Sequence, residues 1–104
     1  MNYVMVISTV NNIDSARNIS KILVEKKLAA CVNIVSNLTS IYKWEGNMCE
    51  DAEYLLLIKS VKDKLDMLKN VIKLAHPYDV PEIIAIDITD GNKDYLDWID
   101  KSLL

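Results

Sequence analysis

Two hydrophobic rhythms alternate along this chain, one suited to strands and one to helices. Residues 3–10 form an apolar, β-branched run that predicts a buried strand. Asn12 can then cap a helix in which Ile13, Ala16, Ile19, Leu23 and Leu28 recur at steps of three to five, opposite Arg17, Lys21 and Glu25. Residues 30–44 read as a long strand, broken or bulged around Ser36-Asn37, with turn chemistry at Glu45-Gly46-Asn47 and a return strand over 49–59. Ser60 with Asp63 has the form of a capping box, and Val61, Leu65, Leu68, Ile72 and Ala75 step down a second helix that ends at His76, ahead of Pro77. A second buried strand is predicted over 83–89. After Asp90-Gly91-Asn92 a short helix places Tyr95, Leu96, Ile99 and Leu103 on one face, where Tyr95 and Trp98 should close the core edge.

The order strand, helix, strand, strand, helix, strand is the split βαβ arrangement, an α+β fold. Both helices then lie on one face of a four-stranded antiparallel sheet, and the terminal helix is an addition. Residues 1–104 make one domain, with no linker or repeat. A sheet covered on one side should alternate apolar and polar residues, yet these strands are apolar on both sides: Val4 and Val6 oppose Met5 and Ile7, and Leu55 and Leu57 oppose Leu56 and Ile58. A second greasy face needs a cover, and self-association into a ring-like homo-oligomer is the simplest.

Charge and composition narrow the function. With 12 basic against 15 acidic residues the chain lacks the electrostatic footprint of a nucleic-acid binder. The apolar run at 54–58 falls far short of the roughly 20 residues a membrane-spanning helix needs. Cys31 and Cys49 do not make a disulfide framework, and the N-terminus lacks a secretory pattern, so an intracellular protein with reduced thiols is expected. No enzyme is expected: the sole arginine, Arg17, sits on a predicted helix, and Gly46 and Gly91 do not form a phosphate loop.

Candidate chemistry concentrates in His76-Pro77-Tyr78-Asp79-Val80-Pro81-Glu82, which holds the only histidine. Each proline fixes its own φ and pushes the preceding residue into extended backbone, so the connector is stiff and can hold an imidazole, a phenol and two carboxylates in a set relation. The competing reading is a rigid turn whose rings merely pack. Cys31 has a similar alternative as a small buried hydrophobe amid Ala29, Ala30 and Val32. Tyr42 and Trp44, two apart on one strand face, are expected to pack between subunits, and Lys59 to be solvated or paired with Glu53.

Leu28-Ala29-Ala30-Cys31-Val32-Asn33-Ile34, Ser40-Ile41-Tyr42-Lys43-Trp44-Glu45-Gly46, Leu57-Ile58-Lys59, His76-Pro77-Tyr78, Val80-Pro81-Glu82-Ile83-Ile84 and Tyr95-Leu96-Asp97-Trp98 together resemble the CutA divalent-cation tolerance family over the whole chain. The resemblance implies a ferredoxin-like subunit, a cytoplasmic homotrimer, and a metal-responsive protein that binds copper or another divalent cation near the clefts between subunits, without an organic cofactor. It places weight on Cys31 and His76 as metal ligands, with Asp79 and Glu82 able to complete a site. An alternative is a signalling module, similar to the PII proteins, that binds a small anionic ligand between subunits and reports to a partner the sequence does not identify. This chain departs from some family members in having Ala75 and Ser8 where they carry a second histidine and a cysteine, and Asp79 where Glu is usual. Those departures make a tight multi-ligand copper site less favourable. Cys49 lies outside the family pattern and reads as an exposed thiol at a strand end.

Overall fold

A computed structural model describes residues 2–104. Its elements are β1 (Tyr3–Val10), α1 (Ile13–Glu25), β2 (Cys31–Trp44), β3 (Asn47–Val61), α2 (Leu65–Ala75), β4 (Ile84–Asp87) and α3 (Lys93–Ser102), with a short 3-10 turn, Lys62–Lys64, leading into α2. The sheet order is β2-β3-β1-β4 with every pair antiparallel, which is the predicted split βαβ topology.

Local chemistry sets the element ends. Asn12 is extended, and its side chain accepts from the Ser15 N–H at 2.7 Å, capping α1. The helix stops at Glu25 rather than Leu28 because Lys27 turns left-handed at φ 56°. The Leu28 N–H then reaches the Leu23 carbonyl at 2.9 Å and the Lys27 N–H the Val24 carbonyl at 3.1 Å, a Schellman closure that swings Leu28 into the core as part of the turn. The expected capping box at Ser60 is absent. Val61 still pairs with Tyr3, so β3 runs past Ser60, whose buried hydroxyl donates to the Leu28 carbonyl at 2.6 Å. β4 is shorter than predicted, Ile84–Asp87, matching the stretch of β1 it pairs with, Val4 to Ile7.

The main core lies between the sheet and the first two helices. Val4, Val6 and Val10 of β1 and Leu56 and Ile58 of β3 are fully buried with Ala16, Ile19 and Leu23 of α1 and Leu68 and Ile72 of α2. Helix α3 packs elsewhere. Its Leu96 and Ile99, with Leu103, form a second cluster with Ala30, against Tyr3, Val61 and Ile88. Tyr3 and Val61 are cross-strand partners that alternate with Val4 and Ser60, so α3 covers one end of the opposite sheet face. Tyr95 and Trp98 do not close the core edge as expected. They stay exposed and stack on each other with ring centroids 5.5 Å apart, because Leu96, Ile99 and Leu103 already fill that contact.

Beyond α3 the second face carries Met5, Ile7, Leu55, Leu57, Val35, Ile84 and Ile86 in one stretch, with Val35, Ile84 and Ile86 left 42%, 51% and 44% exposed. The double-sided apolar pattern of the sequence is therefore a bare apolar surface in a single subunit. Further along, β1 stops pairing at Val10 opposite Tyr54, and the β2–β3 hairpin continues alone as an arm, giving the subunit a long axis of 45 Å. The arm bends at a register shift between Val35 and Leu38, where Asn37 takes φ 63°. It closes at Glu45-Gly46, both left-handed at φ 50° and 82°, the geometry of a type I′ hairpin turn.

Candidate functional site

The stiff loop after α2 docks its histidine. Pro77 cannot continue the helix, so His76 turns extended at ψ 138° and its ring reaches β1. The Thr9 carbonyl can only accept, so Nε2 carries the proton and donates to it at 2.8 Å. The Tyr78 N–H can only donate, so Nδ1 accepts from it at 3.1 Å. Both ring nitrogens are engaged, in a side chain only 7% exposed. The Tyr78 ring lies edge-on to the imidazole at 4.6 Å, and its hydroxyl donates to Glu53 Oε2 at 2.6 Å. Burial, and then the bond to Glu53, raise the Tyr78 phenol well above its ordinary value.

This chain of contacts forms one wall of a groove of about 820 Å³ on the helix-free side of the arm. β2 contributes Ser40, Tyr42 and Trp44, β3 contributes Asp51 and Glu53, and the loop contributes Tyr78, Asp79 and Glu82. Strand alternation explains the gathering: Ser40 faces Asp51 and Leu38 faces Glu53 across the hairpin, so Tyr42, Asp51 and Glu53 share the face that also carries Thr9 of β1. Among the described residues no lysine, arginine or histidine lines the groove.

Tyr42 donates to Asp51, and that bond pushes the Tyr42 hydroxyl up to about 12 from an ordinary 10.0. Tyr3 is held at about 12 in the same way by Asp100 of α3. A phenol whose folded value lies above its unfolded value adds stability in full below the unfolded value, and loses it as pH rises through the folded one. Stability should therefore hold up to about pH 10 and fall between 10 and 12. Denaturant midpoints measured against pH check this. The decline should be shallower in Tyr42→Phe and Tyr3→Phe, and an unchanged slope in both would refute the pairings.

Of the four ligands expected from the sequence, Asp79 and Glu82 lie in the groove and His76 stands behind it. Cys31 is elsewhere. It pairs with Lys59, which pairs with Met5, four residues from Thr9 along β1 and thus about 13 Å away at the usual strand rise. Its neighbour there is Tyr95 of α3. Among the described residues no group of three or more His, Cys, Asp and Glu side chains is arranged to hold one metal ion. A single subunit therefore does not bring the four together. Lys59, expected to be solvated or paired with Glu53, instead donates to the Asn33 side chain across the β2–β3 ladder. Cys49 is half-buried, its thiol directed at the Asn47 carbonyl. Sequence reasoning missed Glu53 and Asp51 as site residues. The available signal was their alternation on the same face as Tyr42.

The split βαβ sheet, the long arm and the added terminal helix define the class: a ferredoxin-like α+β domain with one bare apolar face and an acidic groove. The chain belongs to the CutA1 divalent ion tolerance protein family, whose model matches residues 4–102. It is 53% identical over 95 residues to the divalent-cation tolerance protein CutA of Thermus thermophilus, covering 91% of this chain and 92% of that one. It is 44% identical to the chloroplastic CutA 1 of Oryza sativa, of whose length it spans 56%. The structure of the Thermus thermophilus protein superposes with a TM-score of 0.91 at 52% identity, covering 93% of this chain and 94% of that chain. CutA from Xylella fastidiosa superposes at 0.97 with 33% identity, covering 99% of each. No helix among the described residues is long and apolar enough to cross a membrane.

Proposed function

We propose that this protein is a non-enzymatic, cytoplasmic divalent-cation tolerance protein that works as a homotrimer and holds copper or a related divalent ion along the seams between subunits. The bare apolar stretch from Val35 across Leu57 and Ile7 to Ile84 carries the reading, since another copy offers the same apolar chemistry to cover it. The names of the relatives support the divalent-cation part. Asp79 and Glu82 offer oxygen donors on a stiff loop. His76 joins them only by releasing the Tyr78 N–H from Nδ1, and Cys31 only from a neighbouring subunit. That donor set fits a divalent ion through oxygen, and copper where imidazole or thiolate also engages.

Equilibrium dialysis of the full chain with Cu(II) and with Zn(II) tests the reading. Asp79→Asn combined with Glu82→Gln should weaken retention by at least the ~10–100-fold that losing an outer-shell partner costs, and Cys31→Ser should lower copper retention more than zinc. Retention unchanged in both variants would overturn it. The signalling alternative gains no support from the groove, because its four carboxylates and lack of basic residues repel a small anion.

A further inference from the structure

The helix layer is charged opposite to the chain as a whole. Residues 13–27 and 62–75, which make α1, α2 and the turns beside them, hold eight basic and four acidic side chains, while the rest of the chain holds four basic and eleven acidic. A chain of net charge -3 is therefore polarised, with its positive side on the helices, across the sheet from the bare apolar face. Arg17, Lys21, Lys26 and Lys73 form no ion pair among the described residues, so their charge is open to a partner.

Between the two helices runs a shallow groove of about 440 Å³. Asn18, Ile22 and Lys26 line it from α1 at steps of four, and Val71, Leu74 and Ala75 line it from α2 at same-face spacing. Ile19 and Leu23 of α1 and Leu68 and Ile72 of α2 are spent on the core, which leaves this row over the seam. Leu74 is 89% exposed, and Met67, four residues before Val71 on the same side of α2, is 59% exposed. A single exposed apolar side chain is ordinary, but an apolar strip along a groove in positive surroundings has the form of a docking surface. Concave shape and positive charge select a convex apolar ridge set among carboxylates. An acidic amphipathic helix has that form, with apolar anchors at i, i+3 or i+4, and i+7. A bilayer is the poorer match, because α1 and α2 contain none of the aromatic residues that seat helices in the headgroup region.

We propose that the α1–α2 groove docks an acidic amphipathic helix of another protein, with its apolar anchors on Ile22, Val71 and Leu74 and its carboxylates toward Lys26 and the basic side chains around it. The sheet separates this face from the one assigned to self-association, so every copy in the ring keeps its groove open. The surface uses none of the residues proposed for the metal ion.

Fluorescence anisotropy tests the proposal, with the full chain titrated into a labelled peptide of about 18 residues, long enough to form a helix, that carries a leucine stripe flanked by glutamates. Saturable binding at micromolar concentration is expected, weakening as salt rises, and a scrambled peptide of the same composition should give none. Leu74→Glu should weaken binding by about tenfold or more, through lost apolar burial and like charge. A side chain so exposed carries no packing in the subunit, so this variant should fold and keep the mass of the wild type. Lys26→Glu should cost about fivefold, and Met48→Glu, an equally exposed apolar site at the tip of the arm, should change nothing. Vesicles containing about a third anionic lipid should not retain the protein. Absence of saturable binding, equal binding of the scrambled peptide, unchanged affinity in Leu74→Glu, equal loss in Met48→Glu, or vesicle binding that Leu74→Glu removes would each overturn the proposal. Dialysis reads metal retention separately, and Leu74→Glu should leave it intact, so failure of this surface and failure of the metal site are distinguishable.

Discussion

Leu57→Glu should turn the assembled protein into a folded monomer at micromolar concentration. Leu57 sits near the centre of the helix-free face, paired with Ile7 on one side and Asn33 on the other. It is only half-buried in the isolated subunit, so a glutamate there can still reach water, and subunit stability should change by no more than about 1 kcal/mol. In the proposed trimer the same carboxylate is taken into an apolar contact where the neighbouring Lys59 ammonium is already held by Asn33, a penalty of several kcal/mol repeated at every copy of the interface. Light scattering should therefore report the mass of one 104-residue chain, while circular dichroism retains the α+β signal. A wild-type protein that is already monomeric, or a variant that stays assembled, would defeat the account of this face. The control that introduces the same charge elsewhere is Leu74→Glu, on the exposed outer side of α2, which should leave the mass unchanged.

Local signals were readable wherever neighbours in sequence decide the outcome. Asn37 marked the bulge because asparagine tolerates the left-handed backbone the register shift requires, and Glu45-Gly46-Asn47 marked the turn through its glycine, which takes φ 82° with no Cβ to clash. Non-local pairing decided the features that were misread. Ser60 looks like a helix cap until Val61 is seen to pair with Tyr3, nearly sixty residues away, which keeps the segment in the sheet. Glu53 follows Glu50, Asp51 and Ala52 on an arm whose composition suggests full exposure. It is buried because Val10 ends β1 beside it and because the loop after α2 brings Tyr78 onto it. The acidic groove depends on three segments meeting, and periodicity within any one of them carries no trace of the other two.

The same distinction governs His76, which the sequence leaves open as a ligand on a stiff loop or a ring packed in a turn, and which the fold ties at both nitrogens. Its ring ties the Thr9 carbonyl on β1 to the Tyr78 N–H in the loop, and Tyr78 in turn holds Glu53 on β3. His76→Ala leaves a buried acceptor and a donor unpaired, at about 1–3 kcal/mol each, so a total loss near 3 kcal/mol is expected. For a chain of this length that is a drop of roughly 12–24 °C in melting temperature, read at fixed protein concentration because assembly also stabilises. Tyr78→Phe keeps both imidazole bonds and leaves one group, the buried Glu53 carboxylate, without its donor, so a loss of about 1–3 kcal/mol is expected with the loop still tied to β1. The pair separates two roles. If His76→Ala destabilises as stated while copper retention, measured well below its melting point, is unchanged, the imidazole holds the loop and does not bind the ion. If the melting temperature barely moves and retention collapses, the bonds to Thr9 and Tyr78 are weak enough for a metal to break, and His76 is a ligand.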